Sequence, residues 1–232
     1  MADVLSAMLS IVRPRLNDPG REWLDVALTT ARGGDVNRLC ASYTAASRKA
    51  GTSPLSLTSA ERARLSDIAP DLVFDRWTVA DATRAAILLS AADATDASAF
   101  VSRAIACFEN GDAQEQQSWL RGVSLLPGDD RFTAIAVDAC RSHIQPLFES
   151  IACENAYPLA YFSDREFNQL VLKAMFTGVR LERIVGLARR LNADLSRMAR
   201  DYAAERRAAG RSVPADLALA LHDDPALEER LS

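Results

Sequence analysis

Apolar residues recur every three or four positions along most of the chain, with polar residues between them. This spacing places apolar side chains on one face of an α-helix. No segment alternates apolar and polar residues in the way that a half-buried strand would. The pattern therefore predicts an all-α fold, built as an array of helical hairpins.

Two apolar stripes along the chain share the same four-residue spacing. Their members are Phe100, Ala104 and Phe108 in the first stripe and Phe132, Ala136 and Cys140 in the second. The offset between the stripes is 32 residues (132 − 100), which is near the period of helical-hairpin repeats. Both a HEAT-like stack and an irregular helical bundle fit this pattern.

Polar residues mark where several of the helices begin. Thr58 with Glu61, and Ser163 with Glu166, have the spacing of a capping box, in which each side chain satisfies the other residue's free backbone N–H. We also expect one short helix over residues 181–191, broken or bent near Gly186.

The chain is expected to form a single helical domain over residues 1–232. Within it we expect a looser N-terminal lobe at 1–128 and a polar, charged core region at 129–214. Residues 215–232 are expected to form a short helix and an acidic tail.

Composition agrees with a helical, water-soluble protein. Hydrophobic residues make up 49% of the 232 positions, and no apolar run approaches the roughly 20 residues that span a bilayer. The first residues lack the basic and apolar stretches of a signal peptide, so the expected location is the cytoplasm. The four cysteines show no CxxC spacing and are expected to be reduced, buried thiols.

Charge is distributed unevenly along the chain. The net charge of −4 argues against general nucleic-acid binding. Residues 173–211 hold ten basic and four acidic residues, a net of +6, so the remainder carries −10. This asymmetry fits a surface for an anionic ligand or an acidic partner, and it also fits a solvated helix face with local ion pairs.

No established catalytic motif is present. The sequence lacks a Gly-rich phosphate loop, a nucleophile elbow and an HExxH motif. Cys140, His143 and Cys153 could supply three ligands to zinc, but a fourth is not evident and core cysteines are the favoured interpretation. We therefore expect no metal and no cofactor.

Polar side chains are dense between residues 145 and 173. Glu166, Gln169 and Lys173 share one helix face, and Asn168 lies beside the apolar stripe of the same helix. Such residues could form interhelical hydrogen bonds that lock the helix order, or a polar-lined pocket that holds an anionic group. For the pocket, the candidate ligand-binding residues are Glu149, Glu154, Asn155, Asn168, Lys173 and Arg206, with Lys173 and Arg206 as anion holders.

The helix predicted over residues 195–209 carries charged residues at helical spacing. Arg197 and Asp201 are spaced for an ion pair, and Tyr202 and Arg206 for stacking. Asp201 and Glu205 are like charges one turn apart, so each is expected to meet an arginine from another helix. The candidates for that arginine are Arg183, Arg189 and Arg190.

The second half of the chain resembles the EboA domain family. The resemblance is carried by residues 145–158 (QPLFESIACENAYP), 167–176 (FNQLVLKAMF) and 183–187 (RIVGL), and by Arg197-Met198, Asp201-Tyr202, Glu205-Arg206 and Ala209-Gly210-Arg211. It covers residues 129–214 well and the N-terminal half loosely. The chain has Asn155-Ala156-Tyr157-Pro158 where the family has Asn-Pro-Tyr-Pro, and Asn192-Ala193-Asp194-Leu195 where the family has Asn-Pro-Glu-Leu. These departures affect turn residues and leave the charged residues in place.

The resemblance implies a role in bacterial metabolite traffic. EboA-like proteins are encoded in ebo gene clusters beside a prenyltransferase-like membrane protein and several enzyme-like partners. In cyanobacteria such clusters are linked to the movement of scytonemin precursors toward the periplasm. The chain is therefore expected to be a non-catalytic accessory protein that binds a small metabolite or another ebo-cluster protein during biosynthesis or export.

Two other functions fit the sequence. One is an all-α enzyme acting on a phosphorylated or prenylated small molecule, although the acidic metal-binding motif that such chemistry usually needs is missing. The other is a scaffold that docks a partner protein through the basic C-terminal third. The resemblance transfers no catalytic residue to this chain.

Overall fold

A computed structural model describes residues 2–221, and over that range the protein is all-α. No β-strand occurs among these residues, where the one extended pairing is an isolated bridge between Pro54 and Thr78. The all-α prediction is confirmed. The predicted acidic tail after residue 221 lies outside the described range.

Twelve α-helices account for most of residues 2–221. They are α1 (Ala2–Val12), α2 (Asp18–Arg32), α3 (Val36–Ala50), α4 (Ser59–Ile68), α5 (Val79–Ala92), α6 (Ala97–Glu109), α7 (Ala113–Gly122), α8 (Thr133–Arg141), α9 (Gln145–Ala152), α10 (Tyr157–Tyr161), α11 (Asp164–Thr177) and α12 (Ala193–Ala208). Short 3₁₀ turns lie at Arg13–Arg15, Val123–Leu125, Asp129–Phe132, Leu181–Arg183, Leu187–Arg189 and Ala215–Ala220.

Helix α5 lies at the centre of the N-terminal half. All fourteen of its residues are buried, and α1, α2, α3 and α7 pack around it. Six of the fourteen are alanine, so the surrounding helices approach its backbone closely. A helix that is buried on every face is a core element, in contrast to the amphipathic helices around it.

Side-chain caps explain where several of the helices begin. Both predicted capping boxes are present, at the starts of α4 and α11. Two further capping boxes open α5 and α7, with Asp81 and Glu115 as the third residue of each helix. Both of these carboxylates are buried, so they need partners inside the protein.

Arg84 supplies those partners through a buried polar network. Its Nη1 donates to Ser118 Oγ at 2.8 Å, and that hydroxyl donates to Asp81 Oδ1 at 2.5 Å. Its Nη2 lies 3.8 Å from Glu115 Oε1. Its Nε donates to the carbonyl of Tyr43 at 3.1 Å. The network joins α3, α5 and α7, and the sequence pattern did not predict it.

The two apolar stripes meet in the structure through their aromatic residues. The rings of Phe100 and Phe132 pack edge to face with centroids 6.5 Å apart. Trp119 contacts Phe132 at 5.1 Å and Phe108 at 5.2 Å. The stripes therefore share one aromatic cluster, and the HEAT-like repeat stays a prediction.

The short helix predicted over residues 181–191 is interrupted at Gly186, as expected, but it is not an α-helix. Two 3₁₀ turns, Leu181–Arg183 and Leu187–Arg189, stand in its place. Gly186 lies between them with φ of 74°, in the left-handed region. A right-handed helix cannot continue through that conformation, which glycine adopts at little cost.

None of the helices in residues 2–221 combines the length and the apolar character that crossing a bilayer requires.

An ion pair between Arg15 and Glu61 joins the 3₁₀ turn after α1 to α4, and we expect it to make stability depend on pH. The guanidinium donates to both carboxylate oxygens at 2.8 Å, which lowers the pKa of Glu61 from 4.5 to about 2. Because the folded pKa is depressed, the stabilisation is present above pH 4.5 and is lost as the pH falls toward 2.

Comparing the wild type with Glu61→Gln by thermal unfolding measures this effect. The variant should melt at a lower temperature at pH 7, and the two melting temperatures should converge between pH 4.5 and 2. A difference that stays constant over this range would contradict the ion pair's role.

Candidate ligand-binding sites

The structure divides the predicted site residues among different places. Glu149, Glu154 and Asn155 line one cavity, which we call the arginine cleft. Lys173 lines a second and larger cavity between α8 and α11, which we call the α8–α11 groove. The remaining two candidates line neither, so the six residues do not form one shared pocket.

The arginine cleft has a volume of about 270 Å³. It lies between the segment before α5, helices α7 and α9, and the turn at residues 181–183. Its charged lining consists of Arg76, Arg121, Arg183, Glu149 and Glu154. Two of these arginines, Arg76 and Arg121, come from the predicted N-terminal lobe at 1–128 and were not among the predicted site residues.

Arg183 holds both carboxylates of the cleft. It donates to the two oxygens of Glu154 at 2.7 and 2.9 Å and to Glu149 Oε2 at 2.5 Å. The hydrogen bonds with Glu154 raise the pKa of Arg183. Burial raises the pKa of Glu149, but its hydrogen bonds outweigh burial and lower that pKa overall. Arg183 and Glu149 are therefore both charged at neutral pH.

The backbone of Glu154 ties three segments together at the cleft. Its φ of 52° lies in the left-handed region, which is uncommon for a residue with a side chain. Its N–H donates to the carbonyl of Arg183 at 2.9 Å, and its carbonyl accepts from Val73 N–H at 3.2 Å. Contacts on both sides hold this conformation against its intrinsic cost.

Asn155 forms a buried wall of the cleft. Its Nδ2 donates to the carbonyls of Leu120 and Ser150 at 2.7 and 3.0 Å. Its Oδ1 accepts from Ser124 Oγ at 2.9 Å and from Tyr157 N–H at 3.0 Å. The amide is 2% exposed and its hydrogen-bonding capacity is used within the protein, so it shapes the cleft by holding α7 against α9.

The α8–α11 groove has a volume of about 870 Å³. Its floor is apolar and includes Val137, Cys140, Phe162 and Leu170, all buried. A volume of this size lies in the range of small-molecule pockets, about 300–1,000 Å³.

Polar and cationic residues form the rim of the groove. The predicted ladder of Glu166, Gln169 and Lys173 lines it along one face of α11. Arg141 and Arg165 add two positive charges. The carboxylate of Glu166 accepts hydrogen bonds within its capping box, which lower its pKa. The rim therefore carries three cations and one carboxylate, and that carboxylate already accepts hydrogen bonds from Ser163.

Lys173 is fixed at the wall of the groove. Its Nζ donates to the carbonyls of Cys140 and Ser142 at 2.5 Å each and lies 4.6 Å from the ring centre of Phe148. These contacts close the C-terminal end of α8, where a positive charge is favourable. Burial lowers the pKa of Lys173. An ammonium group has three donors, so one remains for a ligand.

Asn168 takes part in an interhelical contact instead of lining a cavity. Its side-chain amide exchanges two hydrogen bonds with that of Asn192, at 3.0 and 3.1 Å. Asn192 in turn caps α12 by accepting from Leu195 N–H at 2.9 Å. The pair fixes the start of α12 against α11.

Arg206 interacts with its own C-terminal segment. Its Nε donates to the carbonyl of Ser212 at 2.7 Å, and its guanidinium lies 5.8 Å from the ring centre of Tyr202, which confirms the predicted stacking.

The predicted ion pair of Arg197 and Asp201 is also present, with 3.5 Å between Arg197 Nη1 and Asp201 Oδ2. The arginines proposed as partners of Asp201 and Glu205 pair elsewhere, so that prediction is wrong. Arg183 pairs with Glu149 and Glu154, Arg189 with Asp71, and Arg190 with Asp164.

The three candidate zinc ligands do not share a site. Cys140 and His143 line the α8–α11 groove, whereas Cys153 lines the arginine cleft. Burial raises the pKa of both cysteines to about 12, so they are neutral thiols. Within residues 2–221, no three side chains of metal-binding type converge.

Comparison with protein families gives one match that covers nearly the whole chain. The matching family is described as metabolite traffic protein EboA, and residues 4–222 align with it. No curated protein and no solved structure matches the chain.

Proposed function

Because the chain belongs to the EboA family, we propose that it is a metabolite traffic protein that binds a small amphipathic anion in the α8–α11 groove. The observation that carries this proposal is the groove itself. About 870 Å³ of space combines a buried apolar floor with a rim of three cations. That combination suits a ligand with an apolar body and an acidic end.

The floor and the rim of the groove would each contact a different part of the ligand. The apolar floor would take an aromatic ring or an isoprenoid chain, because burying apolar area drives such binding. Lys173 and Arg165 would hold the acidic group. Arg165 forms no ion pair with any other described residue, so its guanidinium is available. Arg141 already pairs with Asp138 at 3.0 Å and would contribute less.

This role fits an accessory protein of a bacterial secondary-metabolite cluster, carrying an intermediate between biosynthesis and export. The link to scytonemin precursors, the cytoplasmic location and the other ebo-cluster proteins as partners stay predictions. The alternatives of an all-α enzyme and of a partner scaffold also stay predictions.

Binding of 8-anilinonaphthalene-1-sulfonate, which has an apolar body and one sulfonate, tests the groove directly. We expect the wild type to bind this dye saturably. Gln169→Trp should weaken binding at least about tenfold, because Gln169 is exposed on the rim and an indole there occupies the cavity. Arg165→Gln should weaken it several-fold through loss of one charged contact. Fluorescence titration measures both effects.

Arg207→Gln is the matched control, since Arg207 is exposed on α12 and does not line the groove. It should bind the dye as the wild type does. Native mass spectrometry of protein purified from its own host should then show a small molecule that Gln169→Trp fails to retain. Equal dye affinity in wild type and Gln169→Trp would overturn the proposal.

A further inference from the structure

We propose that the arginine cleft is a second binding site, which takes a small oxyanion on the guanidinium groups of Arg76 and Arg121. This site is separate from the α8–α11 groove and does not depend on the function proposed for it. The inference rests on which hydrogen-bonding groups of the cleft are already used.

The acceptor atoms of the cleft carboxylates are all occupied. Glu154 accepts from Arg183 through both oxygens. Glu149 accepts from Arg183 through Oε2 and from Gln145 Nε2, at 3.0 Å, through Oε1. All four carboxylate oxygens therefore already accept a hydrogen bond from within the protein.

The donor atoms of the other two arginines are largely unused. Arg76 makes no hydrogen bond with any described residue, and its one ion pair there is a long one, 3.9 Å from its Nε to Glu154 Oε2. Arg121 approaches the carboxylate of Asp81 only at 3.4 and 3.5 Å, through Nη1. Its Nε and Nη2 have no partner among the described residues. The hydrogen-bonding groups of the cleft that remain available to a ligand are therefore guanidinium N–H donors.

These available N–H donors define the class of ligand that the cleft would bind. A guanidinium presents its N–H groups in a planar fork that matches a carboxylate or a phosphate. A cavity of about 270 Å³ accommodates such a group with a short body. Asp81 pairs with Arg121 through Nη1 alone, at 3.4 Å, and its oxygens also accept from Ser118 Oγ at 2.5 Å and from the N–H of Thr78 at 2.8 Å. Glu149 and Glu154 would repel larger polyanions, which favours a compact ligand.

Binding would connect two parts of the chain. Arg76 lies in the segment before α5, and Arg121 lies on α7. An anion between their guanidinium groups would join these segments beside the contacts that Glu154 makes with Val73 and Arg183. A ligand that binds only the folded state raises its stability, so occupancy is measurable as a rise in melting temperature.

Titration of the full chain with inorganic phosphate and with malonate, at constant ionic strength set by sodium chloride, tests the site. We expect either anion to raise the melting temperature saturably and to give a binding isotherm by calorimetry. Arg76→Gln should weaken binding about tenfold or more without unfolding the protein, because Arg76 is 61% exposed. Arg121→Gln should weaken binding similarly, and its circular dichroism spectrum shows whether the fold is kept.

Arg62→Gln is the matched control, since Arg62 is 52% exposed, pairs with Asp75 and does not line the cleft. It should bind as the wild type does. Tighter binding of phosphate would assign a phosphate monoester as ligand, and tighter binding of malonate a carboxylate. Anions that act no more strongly than chloride, or equal affinity in Arg76→Gln and wild type, would overturn the proposal. Gln169→Trp should leave anion binding intact, which separates this test from that of the groove.

Discussion

Replacing Gly186 by alanine is expected to destabilise the protein by about 2–5 kcal/mol. Its φ of 74° costs a side-chain-bearing residue about 1–2 kcal/mol. In addition, a Cβ at this position would lie 2.4 Å from Leu159 Cδ1 and 2.9 Å from Leu159 Cγ. The whole leucine side chain would have to move, and overpacking of this kind costs about 1–3 kcal/mol. Urea-induced unfolding measures the difference.

Gly178 provides the control for the backbone part of this effect. Its φ is 72°, but a Cβ there would meet nothing within 4 Å. Gly178→Ala should therefore show the conformational cost alone. Adding Leu159→Ala to Gly186→Ala should recover part of the loss. Equal destabilisation by the two glycine variants would show that contact with Leu159 is unimportant.

Replacing Arg84 by methionine is expected to cost about 3–5 kcal/mol, because it leaves the buried carboxylate of Glu115 without its cation and removes the hydrogen bond to Ser118. Arg84 is 2% exposed, and Glu115 and Asp81 are buried beside it. Methionine fills much of the same space, so the loss measures the missing charge and hydrogen bonds more than a cavity. Thermal and urea unfolding, followed by circular dichroism, measure it.

A second substitution separates the unpaired charge from lost packing. Glu115→Gln in the Arg84→Met background removes one stranded carboxylate and should recover part of the stability. Arg38→Met is the control, because the side chain of Arg38 is 77% exposed. This substitution should change the free energy of unfolding little. If the double variant were no more stable than Arg84→Met, the charge would not be the source of the loss.

Local sequence signals predicted the helices well because helix ends are determined locally. Thr58 and Ser163 open capping boxes that need only residues three positions further on. In the segment 181–191 the predicted interruption at Gly186 is present, but the parts on either side of it are 3₁₀ turns instead of α-helix. There the left-handed conformation of Gly186 decides the structure, and a single sequence does not display that angle.

The candidate sites were only partly predictable. Dense polar residues after Pro146 drew attention to Glu149 and Glu154, which line one cleft, and their part in ligand binding stays a prediction. The pattern could not show that their cation is Arg183, or that Arg121 comes from α7 to the same place. Such contacts join residues that are dozens of positions apart, and helical periodicity carries no information about them.

The central position of α5 restricts how relatives of this protein can diverge. On a surface helix, a side chain can lengthen on the solvent face without displacing any neighbour. Helix α5 has no such face, because protein surrounds Val79–Ala92 on every side. A larger residue in place of one of its alanines would push a surrounding helix outward. Sequence change in α5 must therefore be matched by compensating changes in α1, α2, α3 or α7, so these five helices are constrained to vary as a set.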